Sequence, residues 1–171
     1  MDASEDTIRS DIVALLPRLR RFALALTGNR ADAEDLVQDT VERALRHLRQ
    51  WQPGTRLDSW MFRIAQNLFI DERRSARRKR TALAEVAQSA TVRDGARDAE
   101  ARLTWSETCS ALLTLPEEQR SAIALVLIDG MSYRDAADVL GVPIGTLTSR
   151  LARGRDGLAS KIFGTMQDKR P

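Results

Sequence analysis

The stretch that decides the fold spans Gly130–Gly157 and reads GMSYRDAADVLGVPIGTLTSRLARGRDG. Ser132, followed three residues later by Asp135, is typical of a helix N-terminus. Gly141 can adopt the left-handed conformation that ends a helix, and Pro143 suits the first turn of the next one. The stretch therefore predicts a helix, a tight turn and a second helix.

The second of these helices has two chemically different faces. Leu147, Leu151 and Leu158 recur at helical spacing on one face. The other face carries hydroxyl and arginine side chains, namely Thr146, Ser149, Arg150 and Arg153. Gly145 between them would let the backbone approach phosphate closely. This layout favours insertion into the major groove of DNA, although an ordinary helical hairpin with a solvated arginine face has the same pattern.

Composition excludes several classes of protein. The longest apolar run, Ala122–Ile128, is too short to cross a membrane, and the acidic N-terminus lacks a basic-then-apolar signal. We therefore expect a cytoplasmic protein that is not inserted in a membrane. Cys109 and His47 are the single residues of their types, which argues against a disulfide framework or a Cys/His metal site. No nucleophile–base set or phosphate loop stands out, so no enzyme, cofactor or small-molecule substrate is expected.

Helical periodicity dominates on both sides of a stretch rich in small and polar residues. The sequence predicts an all-α protein of two small helical domains joined by a flexible linker. The first domain is expected at 1–82, the linker at 83–103, and the second domain, with the helix-turn-helix, at 104–171.

In the first domain a predicted helix from about Ala33 to Arg49, after a turn at Asn29–Asp32, carries an acidic stripe. The stripe consists of Asp35, Gln38, Asp39 and Glu42. The opposite face, predicted to be buried, consists of Leu36, Val37, Val41, Ala44, Leu45 and Leu48. Such a stripe is either a solvated helix face or a docking site for a basic helical partner.

A later helix of this domain ends in a strongly cationic run. Residues 73–80 contain six cations and no acid, which indicates phosphate contact more readily than a simple response to the helix dipole. The loop before this helix has a Pro-Gly turn at Pro53 and lies between Trp51 and Trp60. Its polar residues could hydrogen-bond a base edge.

Taken together, four strings resemble a bacterial extracytoplasmic-function (ECF) sigma factor of RNA polymerase. They are AEDLVQDT at 33–40, WMFRIAQN at 60–67 followed by Asp71 and Arg73-Arg74, LPEEQR at 115–120, and the helix-turn-helix. The opening helix and the Trp51–Thr55 loop are similar to the alphaproteobacterial general-stress subgroup. One departure is Gly154, where the family often has alanine, and it predicts a looser helix end.

The resemblance implies partners and residue roles. The acidic stripe of Asp35, Gln38, Asp39 and Glu42 would dock on the clamp of the largest polymerase subunit, and the helix after Pro116 would lie near the flap of the second. Contacts to the −10 element would come from Gln52, Thr55, Arg56, Asp58, Arg63, Gln66, Asn67, Ile70, Arg73, Arg74 and Arg77. Contacts to the −35 element would come from Ser132, Tyr133, Gly145, Thr146, Ser149, Arg150 and Arg153. Control by an anti-sigma protein is also implied.

A different function class remains open from the residues alone. A stand-alone helix-turn-helix regulator would use the same recognition helix. That class needs a dimer surface, a ligand domain or a receiver domain, and residues 1–104 show no pattern typical of any of these.

Overall fold

The structure is a computed structural model that describes residues 3–52, 54–83 and 109–168. These residues are mostly helical and include no strand, which confirms the all-α class. The helices are α1 (Ala3–Thr27), α2 (Arg30–Arg46), α3 (Leu57–Leu83), α4 (109–113), α5 (Glu117–Ile123), α6 (Tyr133–Leu140) and α7 (Ile144–Asp168), with a 3₁₀ turn at Leu48–Gln50 and a π-helical segment at Ala124–Ile128. Apart from Leu83, which ends α3, the predicted linker at 83–103 lies outside the described residues.

Helices α1, α2 and α3 form the first unit around a core of aromatic and long aliphatic side chains. Phe22 of α1 and Phe62 of α3 are fully buried, and their rings meet edge to face with centroids 5.1 Å apart. Leu19, Leu26 and Met61 are buried in the same core. The edge-to-face geometry adds about 1 kcal/mol to the burial of the two rings and fixes α3 against α1.

The junction between α1 and α2 is tighter than the sequence predicted. Gly28 has a φ of 77°, and Oδ1 of Asn29 accepts the N–H of Asp32 at 2.9 Å. This cap starts α2 at Arg30, so the expected turn over Asn29–Asp32 is wrong. The side chain of Asn29 replaces the missing backbone acceptor of the first helical turn.

The predicted helix-turn-helix is confirmed in its details. Oγ of Ser132 accepts the N–H of Asp135 at 3.1 Å and caps α6. Gly141 ends α6 with a φ of 64°, and the N–H of Val142 reaches back to the carbonyl of Ala137 at 3.1 Å. The left-handed residue lets the chain turn directly into α7.

Gly154 allows α7 to approach α5 closely. It is buried, and a Cβ added there would lie 3.0 Å from Cγ1 of Ile123. Helix α7 continues through this position to Asp168. The glycine is therefore a packing residue as well as the weak helix former that the sequence suggested.

Two glycines of α7 separate these effects. Gly145→Ala should raise the free energy of unfolding by less than about 1 kcal/mol, because alanine is the better helix former, the position lies in the first turn of α7 and the space around it is open. The free energy of unfolding of Gly154→Ala should be about 1 kcal/mol lower than that of Gly145→Ala, because the added methyl group crowds Ile123. Urea unfolding of both variants measures the difference, and equal gains would contradict the packing role of Gly154.

Candidate nucleic-acid and partner-binding surfaces

The acidic side chains of α2 lie on one exposed side of the helix. Asp35, Gln38, Asp39 and Glu42 are all exposed, and Glu42 pairs with Arg46 one turn further along. Most of the predicted core side is buried or half-buried, namely Leu36, Val37, Val41, Ala44 and Leu48. The burial pattern therefore leaves the acidic stripe open to a partner.

Leu45 does not belong to the core as the sequence predicted. Its side chain is 45% exposed. It follows Gln38 by seven residues and Glu42 by three, which places it on the same side of the helix as these polar residues. We call Asp35, Gln38, Asp39, Glu42 and Leu45 the acidic face, since an apolar side chain completes the stripe.

The loop before α3 separates the predicted base-reading residues into two groups. Gln52 and Thr55 are exposed at the tip, where the N–H and hydroxyl of Thr55 donate to the Gln52 carbonyl at 3.1 and 2.7 Å. Arg56, by contrast, donates two hydrogen bonds to Asp58 at 3.1 and 2.8 Å. The hydrogen bond from Arg56 lowers the pKa of Asp58 to about 2. Asp58 thus stays charged and forms ion pairs with neighbouring arginines.

The predicted strand-contacting residues of α3 differ in exposure. Arg63, Asn67, Arg73, Arg74 and Arg77 are exposed, and Ile70 is half-buried. Gln66 was expected on the same surface but is only 5% exposed, and its Oε1 is buried without a partner. The exposed arginines give α3 a cationic side.

The two predicted arginines of the recognition helix α7 differ in exposure, since Arg153 is exposed whereas Arg150, like Ser149, is half-buried. Oγ of Ser149 donates to the Thr146 carbonyl at 2.9 Å. Arg153 is exposed, and Nη2 donates to Oγ of Ser149 at 3.2 Å. Arg150 pairs with Glu118 of α5 at 2.9 Å. Among the other predicted −35 residues Thr146 is half-buried, and Ser132, Tyr133 and Gly145 are exposed.

A partly buried ion pair joins the first unit to the second unit, which consists of α4 to α7 and the π-helical segment. Nε and Nη2 of Arg18 donate to Oδ1 and Oδ2 of Asp129 at 3.0 and 2.7 Å. The Asp129 side chain is only 1% exposed. Nη1 of the same arginine reaches Asp58 at 3.2 Å, and its guanidinium lies over the Phe62 ring, 5.5 Å from the centroid. A forked contact of this kind fixes orientation as well as distance.

Other contacts between the units use residues that the sequence assigned to DNA. Arg56 pairs with Asp135, Arg63 donates to the carbonyl of Asp138, and Nε of Arg73 lies 2.7 Å from Glu117. An open cleft of about 980 Å³ remains between the units. It is lined by Arg73, Arg74, Arg77 and Arg150 together with Glu117 and Glu118. We call this arrangement of the two units, with their charged residues in contact, the closed arrangement. In it, acidic residues of the second unit occupy positions where the resemblance predicts DNA.

Arg120 lies buried at the seam between the units. It is 2% exposed, and its guanidinium lies over the Phe69 ring of α3, 5.7 Å from the centroid. Nη1 donates to the Leu113 carbonyl at 3.5 Å, while Nε and Nη2 have no partner. Burial and the nearby charge of Arg73 lower the pKa of Arg120. Burial of a cation with unsatisfied donors costs free energy, and the stacking of the guanidinium on Phe69 offsets part of that cost.

The described residues include neither an activated thiol nor a cluster of metal ligands. Cys109 is buried, and burial raises its pKa to about 11, which keeps the thiol protonated and unreactive. No group of three metal-ligating side chains occurs within residues 3–52, 54–83 and 109–168. The surfaces present binding groups, namely carboxylates on α2 and guanidinium groups on α3 and α7.

Two family models match the chain. Sigma-70 region 2 matches residues 12–79, and Sigma-70, region 4 matches residues 110–157. The ECF RNA polymerase sigma factor EcfG of Rhodopseudomonas palustris (strain TIE-1) is 40% identical over 159 residues, which are 92% of this chain and 86% of the relative. The chain belongs to the ECF sigma factor family. The sigma factor is also 31% identical over 164 residues to SigW of Bacillus subtilis (strain 168), covering 90% of this chain and 88% of SigW.

Solved structures of sigma factors share the fold across both units. The sigma factor RpoE of Bartonella quintana, in complex with the anti-sigma factor NepR, is 33% identical with a TM-score of 0.79. The alignment covers 91% of this chain and 96% of RpoE. CnrH, in complex with the cytosolic domain of CnrY, is 25% identical with a TM-score of 0.71, and the alignment covers 94% of this chain and 90% of CnrH.

Family membership decides between the two function classes left open by the residues. A stand-alone helix-turn-helix regulator does not explain the region 2 match, whereas sigma factors are transcription initiation factors and contain both regions. Within its described helices, the sigma factor has none that is long and apolar enough to span a bilayer.

Replacing Arg18 by glutamate should separate the two units of the sigma factor, because it turns the contact with Asp129 from attraction to repulsion. Loss of hydrogen bonds between charged groups should weaken the closed arrangement by about 2 kcal/mol. Pulsed EPR distances between spin labels at Ser10 and Ala159, with Cys109→Ser, should then lengthen.

The matched control is Arg21→Glu, which makes the same charge change at an exposed position of the same helix. It should leave the distance distribution unchanged. Identical distributions for the wild type and both variants would show that the Arg18 contact does not hold the units together.

Proposed function

We propose that this sigma factor binds core RNA polymerase and directs promoter-specific initiation, without catalysis of its own. The observation that carries the proposal is the acidic face of α2, which stays exposed in a chain whose other proposed binding surfaces are rich in arginine. The predicted division at 1–82, 83–103 and 104–171 assigns the acidic face and α3 to one domain, and the recognition helix to the other. The protein would act in the cytoplasm, where the polymerase is found.

Docking on the clamp of the largest polymerase subunit is the role proposed for the acidic face. Asp35, Asp39 and Glu42 would meet a basic partner helix, which favours fast and oriented association. Leu45 adds an apolar contact beside them, and burial of apolar surface favours association. The helix after Pro116 would lie near the flap of the second subunit.

The −10 element would be read by the loop before α3 and by α3 itself. Gln52 and Thr55 are exposed at the loop tip, where a flipped base can reach them. Flipping costs a few kcal/mol of stacking, and arginines such as Arg73, Arg74 and Arg77 offset this cost by contacting phosphate. Arg56, Asp58, Arg63, Asn67 and Ile70 complete the proposed −10 set, which no longer includes the buried Gln66.

The closed arrangement sets an order of events. The acidic face is exposed, whereas Arg56, Arg63 and Arg73 are engaged by the second unit. Polymerase can therefore bind first. Moving the second unit towards the flap would then free these arginines for promoter DNA, so DNA recognition depends on core enzyme.

Regulation by an anti-sigma protein is proposed for the same arrangement. The similar structures of RpoE and CnrH are complexes with NepR and with the cytosolic domain of CnrY, respectively. A protein that stabilises the closed arrangement would keep the DNA-contacting arginines engaged. The similarity to EcfG and to the NepR-bound RpoE supports placement in the general-stress subgroup.

Core-dependent run-off transcription tests the function. Purified chain plus core polymerase should start transcripts at a selected set of promoters, and the chain alone should bind duplex promoter DNA weakly. Tight binding to duplex DNA without core enzyme, together with no transcript when core is present, would instead identify a stand-alone regulator.

Asp39→Arg should weaken core binding at least tenfold, because a like charge at a protein interface costs several kcal/mol. Asp11→Arg, the same charge change at an exposed site of α1, should have little effect. Fluorescence anisotropy with labelled core enzyme measures both affinities. Equal affinities for the two variants would reject docking through the acidic face.

Arg150→Ala should weaken initiation by roughly 1–3 kcal/mol if the guanidinium makes a bidentate base contact in the −35 element. The loss should disappear on a template whose −35 element is scrambled, since no specific contact is left to remove. Arg134→Ala, at an exposed position of α6, is the control. Open-complex formation by reconstituted holoenzyme is the measurement, and a loss that persists on the scrambled template would assign Arg150 to phosphate.

A further inference from the structure

The first two turns of the recognition helix expose an apolar side chain that the proposed −35 set leaves out. Ile144 begins α7 and is 55% exposed. Thr148 lies one turn further along the same side and is also exposed. Single exposed apolar residues are common on protein surfaces, so the position of Ile144 needs a second argument.

Hydrogen bonding provides that argument. Oγ1 of Thr148 donates to the carbonyl of Ile144 at 2.9 Å, so the hydroxyl group of the side chain is directed at the helix backbone. Its methyl group is then the part left for contact with a ligand. Ile144 and Thr148 together offer two neighbouring apolar groups where a recognition helix usually carries polar ones.

The position on the helix identifies the ligand chemistry. The N-terminal residues of a recognition helix contact base edges in the major groove, and thymine alone presents a methyl group there. Gly145 next to Ile144 has no side chain, and the space where one would lie is open, so the backbone does not keep the groove at a distance. In the closed arrangement Ile144 remains exposed, so contact between the units does not account for it.

We propose that Ile144 and Thr148 read the C5-methyl group of a thymine in the −35 element. The proposal rests on the proposed function and adds a specificity contact to it. Burying one methyl group on this apolar pair should improve binding about fourfold over the same base without the methyl.

Replacing thymine by deoxyuracil tests this directly, because only the methyl group is lost. A promoter is first obtained by in vitro selection with reconstituted holoenzyme. Each thymine of its −35 element, on either strand, is then replaced singly by deoxyuracil. Wild-type holoenzyme should lose about fourfold in promoter affinity at one position.

Matched variants assign the effect to the two side chains. Ile144→Ala should discriminate between the thymine and deoxyuracil promoters less than the wild type does. Thr148→Ser, which keeps the hydroxyl and removes the methyl, should reduce the discrimination, whereas Thr148→Val, which keeps a methyl and removes the hydroxyl, should retain it. Val13→Ala, at a residue of α1 that is 63% exposed, should retain full discrimination.

The outcomes separate this inference from the function beneath it. If run-off transcription proceeds but no deoxyuracil position matters, or the selected element contains no thymine, methyl reading is overturned and the sigma function stands. An unchanged deoxyuracil effect in both Ile144→Ala and Thr148→Ser also overturns it. Absence of any core-dependent transcript overturns both proposals.

Discussion

The contact between Arg18 and Asp129 determines how the two helical units of this sigma factor sit together. Asp129 follows the π-helical segment immediately before the helix-turn-helix, and its carboxylate is almost fully shielded from water. The planar guanidinium binds both carboxylate oxygens, so it fixes the rotation of the second unit as well as its distance. With this orientation set, Arg56 reaches Asp135 and Arg73 reaches Glu117 at the edge of the interface.

In the arrangement that this contact fixes, basic and acidic side chains of the first unit lie on different surfaces. Arginines of α3 and of the loop before it face acids of the second unit, while the acids of α2 face solvent. Interactions between exposed charges are weak and sensitive to salt, so the edge contacts can exchange one anionic partner for another. DNA phosphate is such a partner, and the proposed mechanism consists of this exchange.

Local patterns predicted the helices, the cap at Ser132 and the turn at Gly141, because each depends on residues close in sequence. The predictions were wrong where residues distant in sequence determine whether a side chain is buried. The sequence placed Leu45 in the core and Gln66 on the surface, and the tertiary packing reverses both. Gly154 looked like a weak point in a helix until Ile123 was found against it. The assignments of binding residues depend on partners and stay predictions.

The unsatisfied guanidinium of Arg120 has a consequence for how readily the molecule can change shape. Charge pairs at the periphery hold the two units together, while the burial cost of the cation at the seam, which stacking on Phe69 offsets only in part, acts against them. The closed state is therefore less stable than its number of ion pairs suggests. When two states differ by a small free energy, modest differential binding is enough to tip the population from one to the other.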